Sequence, residues 1–548
     1  MLSRCTRVLH RAARRMPRRH LSTLADSSES VQEQFDPANP RAEHRALRKM
    51  VQEFTKNEVE PQALQYNREE RFNRALFERA GELGLLGVTA DPEYGGAGMD
   101  ATAACIVHEE LSYSDPAFCL SYLAHSQLFV NNLARNGTAA QLERWLPRAC
   151  SGEHIGGMGM SEPSCGTDVL AMRTTAQTPV GVGEAATPTW RERRGSGLAC
   201  CVERAGRLLA AQAVPPPPRT TQARAQPDGS FKLNGTKMWI TNGAVNDTDI
   251  GDVFLVCARR LRRRPRDAEG LPRRAAALRS SRHPLPETAA QADTHRALGA
   301  KRASRLHTFC TPPLPAPHHA FTTPAGRRYA RTGGPEMKPS QAISLFVIER
   351  GMPGFSLGQR LKDKCGMRAS PTAELVFEDV EVPAANLVGE LGGATLCMMR
   401  NLEIERVVLA AMSVGIARRC LQAMNTYATE RTAFGQKLHS FGQMQRHIGE
   451  SYAEYRAGKA YLYQTALNLD LDEGGQRLDT DGAKLYCTMM GKNVADRAIQ
   501  VMGGYGYMGE YAVERLWRDS KLLEIGGGTL ESHHKNMVRE MAAITEIA

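Results

Sequence analysis

The run Leu402-Glu403-Ile404-Glu405-Arg406-Val407-Val408-Leu409-Ala410-Ala411 sets two carboxylates and one guanidinium in otherwise apolar surroundings. Read as a helix, Met398, Leu402, Glu405, Leu409 and Met412 recur at spacings of three and four and share one stripe. Glu405 then points where its neighbours are apolar, while Glu403 stands three residues before Arg406, a spacing that suits an ordinary ion pair. A carboxylate that loses hydration rises in pKa and becomes a useful general base near neutral pH. The competing reading is a buried carboxylate paired with an arginine.

Four further motifs decide between these readings. Met160-Ser161-Glu162-Pro163-Ser164-Cys165-Gly166-Thr167-Asp168, Lys237-Met238-Trp239-Ile240-Thr241-Asn242-Gly243, Arg431-Thr432-Ala433-Phe434-Gly435-Gln436 and Met502-Gly503-Gly504-Tyr505-Gly506-Tyr507 occur in that order, with Glu405 between the second and third. Together they resemble the acyl-CoA dehydrogenase family, from about Pro37 to the C-terminus. Most members carry the catalytic glutamate in a C-terminal loop just before Gly-Thr, where this chain has Gly527. The isovaleryl-CoA and long-chain branches carry it on the preceding helix, at the place of Glu405. Ser121-Tyr122-Leu123-Ala124-His125-Ser126 and the Glu405 run are closer to the isovaleryl-CoA branch.

The resemblance implies α,β-dehydrogenation of an acyl-CoA thioester with FAD as cofactor, Glu405 as catalytic base, and a homotetramer that passes electrons to electron-transferring flavoprotein. A short branched substrate such as isovaleryl-CoA is expected, a step of leucine catabolism; a long-chain acyl-CoA is the alternative. FAD contacts are implied for Met158, Met160, Ser161, Thr167, Trp239, Ile240 and Thr241. Further FAD contacts are implied for Arg431 and Phe434 across a dimer interface, and for Gln500, Met502, Gly503, Gly504, Thr529 and Glu531. The acyl-CoA channel is expected along Thr167, Cys257, Ala258, Glu403, Arg406, Gly527 and Gly528, with Arg368 either a polar contact or a turn charge. The chain departs from the family at Gly442 (usually Gln, here displaced to Gln443), at Leu530, at His533 and His534 (usually Arg), and at Cys257 and Leu396 (often Tyr in the isovaleryl-CoA branch).

The elements that position these residues fall into three blocks. Residues 40–155 carry helical periodicity, as in Leu47, Met50, Val51 and Phe54, then Phe77, Ala80 and Leu83. Residues 156–386 favour β-formers, and 387–548 return to long helical patterns. Composition predicts an α+β protein. The resemblance implies an N-terminal helical domain (37–155), a central β-barrel (156–386) and a C-terminal four-helix bundle (387–548).

Two stretches interrupt the β block. Residues 177–226 are rich in Pro, Ala and Arg, and residues 260–331 hold fifteen Arg and one Lys against four acids. Structureless loops of that length are uncommon inside a compact domain. They read as disordered insertions or as translated introns, and if translated they threaten FAD binding and leave a non-enzymatic product. Thr174-Thr175-Ala176 is expected to pair with Phe231–Gly235 across a turn at Pro227-Asp228-Gly229. Residues 1–25 hold seven Arg and no acid, the pattern of a mitochondrial transit peptide and hence of a matrix protein. The net charge of +11 resides in these three segments, so it argues for no nucleic-acid partner. No stretch reads as a membrane span. The thirteen cysteines show no metal spacing, so no metal site is expected and the thiols read as reduced.

Overall fold

The computed structural model describes residues 36–172, 175–178, 222–225, 229–262 and 338–544. The transit segment and most of both interrupting stretches lie outside these residues.

Among the described residues seven α-helices come first: α1 (Ala42–Phe54), α2 (Glu60–Glu69), α3 (Arg74–Glu82), α4 (Ala101–Ser114), α5 (Pro116–Leu123), α6 (Asn132–Asn136) and α7 (Ala139–Cys150). Side-chain caps start several of them. Asp100 accepts from the Ala103 N–H at 2.9 Å, and Asp115 accepts from Ala117 and Phe118 with Pro116 at the first helical position. Leu47, Val51 and Phe54 are buried as the periodicity predicts, and Met50 packs partly against them.

The strands follow: β1 (Gly156–Gly159), β2 (Thr175–Thr178), β3 (Gln222–Ala225), β4 (Phe231–Thr241), β5 (Val253–Arg262), β6 (Ile343–Glu349), β7 (Phe355–Arg360), β8 (Thr372–Val382) and β9 (Leu387–Val388). They form one nine-stranded sheet in the order β7-β8-β4-β3-β2-β5-β6-β9, with β1 parallel to β5. The expected barrel is not closed among the described residues. β7 pairs only with β8, the two-residue β9 pairs only with β6, and closure needs the two edges to meet.

The expected hairpin is corrected as well. The start of β4 lies between two antiparallel strands, β8 with Val382 opposite Phe231 and β3 with Ala225 opposite Phe231, while β2 lies on the far side of β3 and runs parallel to it. Only five residues separate β3 from β4, so this closure is local. Residues 177–178, 222–225 and 260–262, expected to be irregular, are therefore strand.

The chain ends in helices: α8 (Ala394–Glu430), then a small hairpin of β10 (Thr432–Ala433) and β11 (Gln436–Lys437), then α9 (Gly442–Asn468), α10 (Arg477–Met502), α11 (Gly504–Tyr507), α12 (Ala512–Leu523) and α13 (Leu530–Met541). α8 is long and apolar enough to cross a membrane, contrary to the reading of the sequence, but it is mostly buried inside the protein. It packs on α4, where a Cβ at Gly415 would sit 2.2 Å from the Glu109 carbonyl oxygen. Glycine there lets the two helices touch. A buried ionic knot joins the helical parts, with Glu109 receiving Arg48 (3.0 Å), Lys459 (2.8 Å) and Tyr463 (2.5 Å).

Candidate active site

Glu405 lies on α8 with its side chain among the core residues, only 7% exposed. Its Oε2 has no hydrogen-bond partner. Burial pushes its pKa from 4.5 up to about 7, against the pull of Arg406 and Lys484. The loop after α12 closes over it. A Cβ built at Gly527 would stand 3.6 Å from Glu405 Oε1 and 2.3 Å from Leu409 Cδ1, and Gly527 has φ +67°. Glu405 and Gly527 thus converge on one spot, and a glycine at 527 leaves room beside the carboxylate.

Glu403 does not pair with Arg406. Its Oε2 accepts the backbone N–H groups of Gly475 (2.9 Å) and Gln476 (3.0 Å), and Arg477 lies 3.4 Å from Oε1. Glu403 therefore anchors the entry to α10. Arg406 instead faces Asp481, with Nε 3.3 Å from Oδ1 and no aligned hydrogen bond from that nitrogen. Asp481 also meets His533 Nδ1, while His533 Nε2 lies 3.0 Å from the Gly528 oxygen. Lys484 Nζ donates to the same oxygen at 2.8 Å. The sequence reading missed Asp481 and Lys484. Their signal was a pair spaced i,i+3 amid Ala483, Cys487 and Thr488, a charged pair on a buried helix face.

A second group surrounds β1 and the middle of β4. Met158 is buried on β1, Met160 and Ser161 are half-buried, and Thr167 is exposed. The Ser161 oxygen accepts the Met238 N–H at 3.0 Å, and the fully buried Lys237 reaches Glu162 (3.0 Å) and the Met160 oxygen (3.2 Å). The β4–β8 register slips between Lys237 and Ile240. At that bulge Trp239 takes φ +59° and is 57% exposed, while Ile240 is buried and Thr241 half-buried.

Asn242 then donates to the Ser121 and Gly156 oxygens, both at 2.9 Å. His125 Nδ1 accepts the Gly156 N–H at 2.8 Å and Nε2 donates to the Ala149 oxygen at 3.0 Å. Burial holds that imidazole neutral, pushing its pKa down to about 3. Side chains thus grip both backbone groups of Gly156 and fix β1 beside the bulge.

A third group lies elsewhere. A cavity of about 530 Å³ is lined by Tyr427, Arg431, Met502, Gly503, Gly504 and Tyr505 among others. Four residues expected at the cofactor therefore share one concavity. Gln500 is exposed nearby on α10, and Phe434 is 97% exposed with φ +50°. Arg431, the residue after α8, and Glu405 flank 25 residues of that helix, roughly 40 Å along its axis. The two cannot reach one small group within a single chain. Thr529 precedes α13 and Glu531 is exposed on its first turn.

Two expected channel residues separate. Cys257 and Ala258 are adjacent on β5, so they face opposite sides of the sheet. Cys257 Sγ sits 3.2 Å from Met398 Sδ of α8, whereas Ala258 packs in the cluster with Phe231 and Phe346. Arg368 donates to the Lys364 oxygen (2.8 Å) and lies 3.4 Å from Glu70, the arrangement of a turn charge. A second cavity of about 430 Å³ opens at the start of α8 beside Thr395, Leu396, Met399 and Arg477. Gly442 has open space around it, and His534 is exposed. Among the described residues no cluster of His, Cys, Asp and Glu could hold a metal ion.

Family models describe the same ends of the chain: the acyl-CoA dehydrogenase N-terminal domain matches residues 41–153, and the C-terminal domain matches 392–542. The chain is 31% identical to mitochondrial isovaleryl-CoA dehydrogenase of Pongo abelii, over 89% of this chain and 86% of that one. It is 31% identical to the Arabidopsis thaliana protein of the same description, over 90% of each. The butyryl-CoA dehydrogenase structure from Megasphaera elsdenii shares the fold, with a TM-score of 0.65, 22% identity, and 95% of this chain and all of that chain covered. These matches and the buried carboxylate agree, and the chain belongs to the acyl-CoA dehydrogenase family, oxidoreductases that act on acyl-CoA.

Proposed function

We propose that this protein is an FAD-dependent dehydrogenase of a short branched acyl-CoA, with isovaleryl-CoA the foremost substrate, and that Glu405 is its catalytic base. The observation that carries this reading is a carboxylate buried beside Gly527, with one oxygen unpartnered and a pKa near 7. Such a group takes a proton from a carbon α to a thioester at neutral pH, where an ordinary exposed carboxylate is too weak a base. FAD, when bound, accepts the hydride from the β-carbon.

The residues present fit that cofactor. The Ser161 loop and the exposed Trp239 sit side by side on a braced bulge, a surface for a planar ring. The glycine-lined cavity at Arg431 offers a cation and open backbone to an anionic half. Because that cavity lies far along α8 from Glu405, the second half of the site comes from another copy, and the homotetramer that the resemblance implies is the proposed assembly. The matrix as location and electron-transferring flavoprotein as acceptor rest on the resemblance, the Arg-rich first 25 residues and the mitochondrial relatives.

The test is steady-state turnover of the purified, flavin-loaded protein with isovaleryl-CoA and palmitoyl-CoA. Glu405→Gln should keep its bound flavin and lose at least ~10²–10⁴-fold in kcat. Glu403→Gln should retain turnover. The reverse pattern would remove Glu405 as base, and preference for palmitoyl-CoA would replace the branched substrate with a long-chain one.

A further inference from the structure

The Gly526–Thr529 loop faces Glu405 and is anchored at its two ends, where the Gly526 N–H donates to the Leu522 oxygen at 2.8 Å and the Thr529 oxygen accepts the Ser532 and His533 N–H groups. Gly527 and Gly528 take φ +67° and +105°, conformations open to many alternatives in glycine. Their fixed point is a single oxygen. The Gly528 carbonyl meets Lys484 Nζ from α10 at 2.8 Å and His533 Nε2 from α13 at 3.0 Å. Asp481, one turn before Lys484, faces Arg406 on α8 and lies against the other nitrogen of His533, and the imidazole donates to both oxygens when it carries both protons. All four side chains are buried, so solvent competes little for these contacts. His533 is one of the positions where this chain departs from the arginine usual in the family.

We propose that Lys484 and His533 are positioning residues, which pin the Gly528 carbonyl and so hold the Gly527 backbone against Glu405 in the geometry of proton transfer. The inference rests on Glu405 as the base. Lys484 acts in a second way, because it is one of two cations facing Glu405. The charged groups around Lys484 are Glu405, Arg406, Glu524 and Asp481, and those around His533 are Asp481, Lys484 and Arg406.

The experiment uses flavin-loaded Lys484→Met, His533→Leu and His533→Gln. It measures kcat and KM for the acyl-CoA, the pH profile of kcat/KM, and amide hydrogen exchange over residues 524–532. Lys484→Met should lower kcat about tenfold or more with little change in KM, as a misplaced base does. Its acidic limb should move upward by about one pH unit, because a cation facing the carboxylate is gone. His533→Leu should lower kcat and raise exchange over 524–532 while α4 and α8 exchange as in the wild type. His533→Gln, which keeps a donor, should recover most of both. If Lys484→Met fails to load flavin, the two His533 variants decide alone. Wild-type kcat and local exchange in His533→Leu, or exchange raised uniformly through the molecule, would overturn the proposal. Equal turnover of wild type and Glu405→Gln would instead overturn the base assignment beneath it.

Discussion

Replacing Glu405 by Gln should stabilise the folded protein, and by an amount that depends on pH. In the unfolded chain the carboxyl ionises around 4.5, while burial in the fold moves it to about 7. Between those values the folded state keeps a proton that the unfolded state has released. Stability of the wild type therefore falls as pH rises through this window, and the full deficit is present above it. The gap corresponds to about 3 kcal/mol at 1.36 kcal/mol per unit, of which about 2 kcal/mol develops between pH 5 and 7.5. Glutamine has the same shape and no charge to bury. The assay is a pair of thermal melts of the flavin-loaded proteins at a fixed scan rate and stepped pH. The melting point of Glu405→Gln relative to wild type should climb by roughly 2–4 °C from pH 5 to 7.5. An upper limit of 7.5 avoids Lys484, whose ammonium burial lowers to about 8. A difference that stays flat or shrinks over that range would mean that Glu405 is ionised throughout, and the argument for a desolvated base would fail.

Gly527→Ala should destabilise the protein by about 1–3 kcal/mol and slow turnover, because the new methyl meets Leu409 Cδ1 at 2.3 Å in a left-handed backbone conformation; a melt alongside kcat checks both. Glu109→Gln should destabilise by about 1–3 kcal/mol, since it leaves Lys459 facing a neutral amide while Arg48 keeps Glu110 and Tyr463. Its neighbours hold the Glu109 carboxyl well below the usual range. The stability it gives is therefore complete above the unfolded carboxylate value and is lost as pH falls through its folded pKa, so the gap between wild type and variant should narrow in strongly acidic denaturation series.

What could be read from the sequence was what repeats with a period or sits in a contiguous motif. The stripe through Met398, Glu405, Leu409 and Met412 predicted a buried carboxylate because helical geometry alone sets that face. Gly503 and Gly504 could be placed near Arg431 only through the resemblance, since 71 residues separate Gly503 from Arg431.

The pairing of Glu403 failed for a related reason. Spacing of i,i+3 makes Arg406 a candidate partner, but it does not weigh the alternatives that the tertiary fold brings up. The start of α10 arrives with two unpaired backbone N–H groups, at Gly475 and Gln476, and Arg477 beside them. A buried carboxylate that satisfies two helix-entry donors and a cation gains more than one that meets a single arginine along its own helix. Arg406 is thereby released toward Asp481, and Asp481 orients His533 toward the loop opposite the base. One contact with a partner 72 positions along the chain, at a helix start the sequence does not mark with a capping side chain, thus governs which charges surround Glu405.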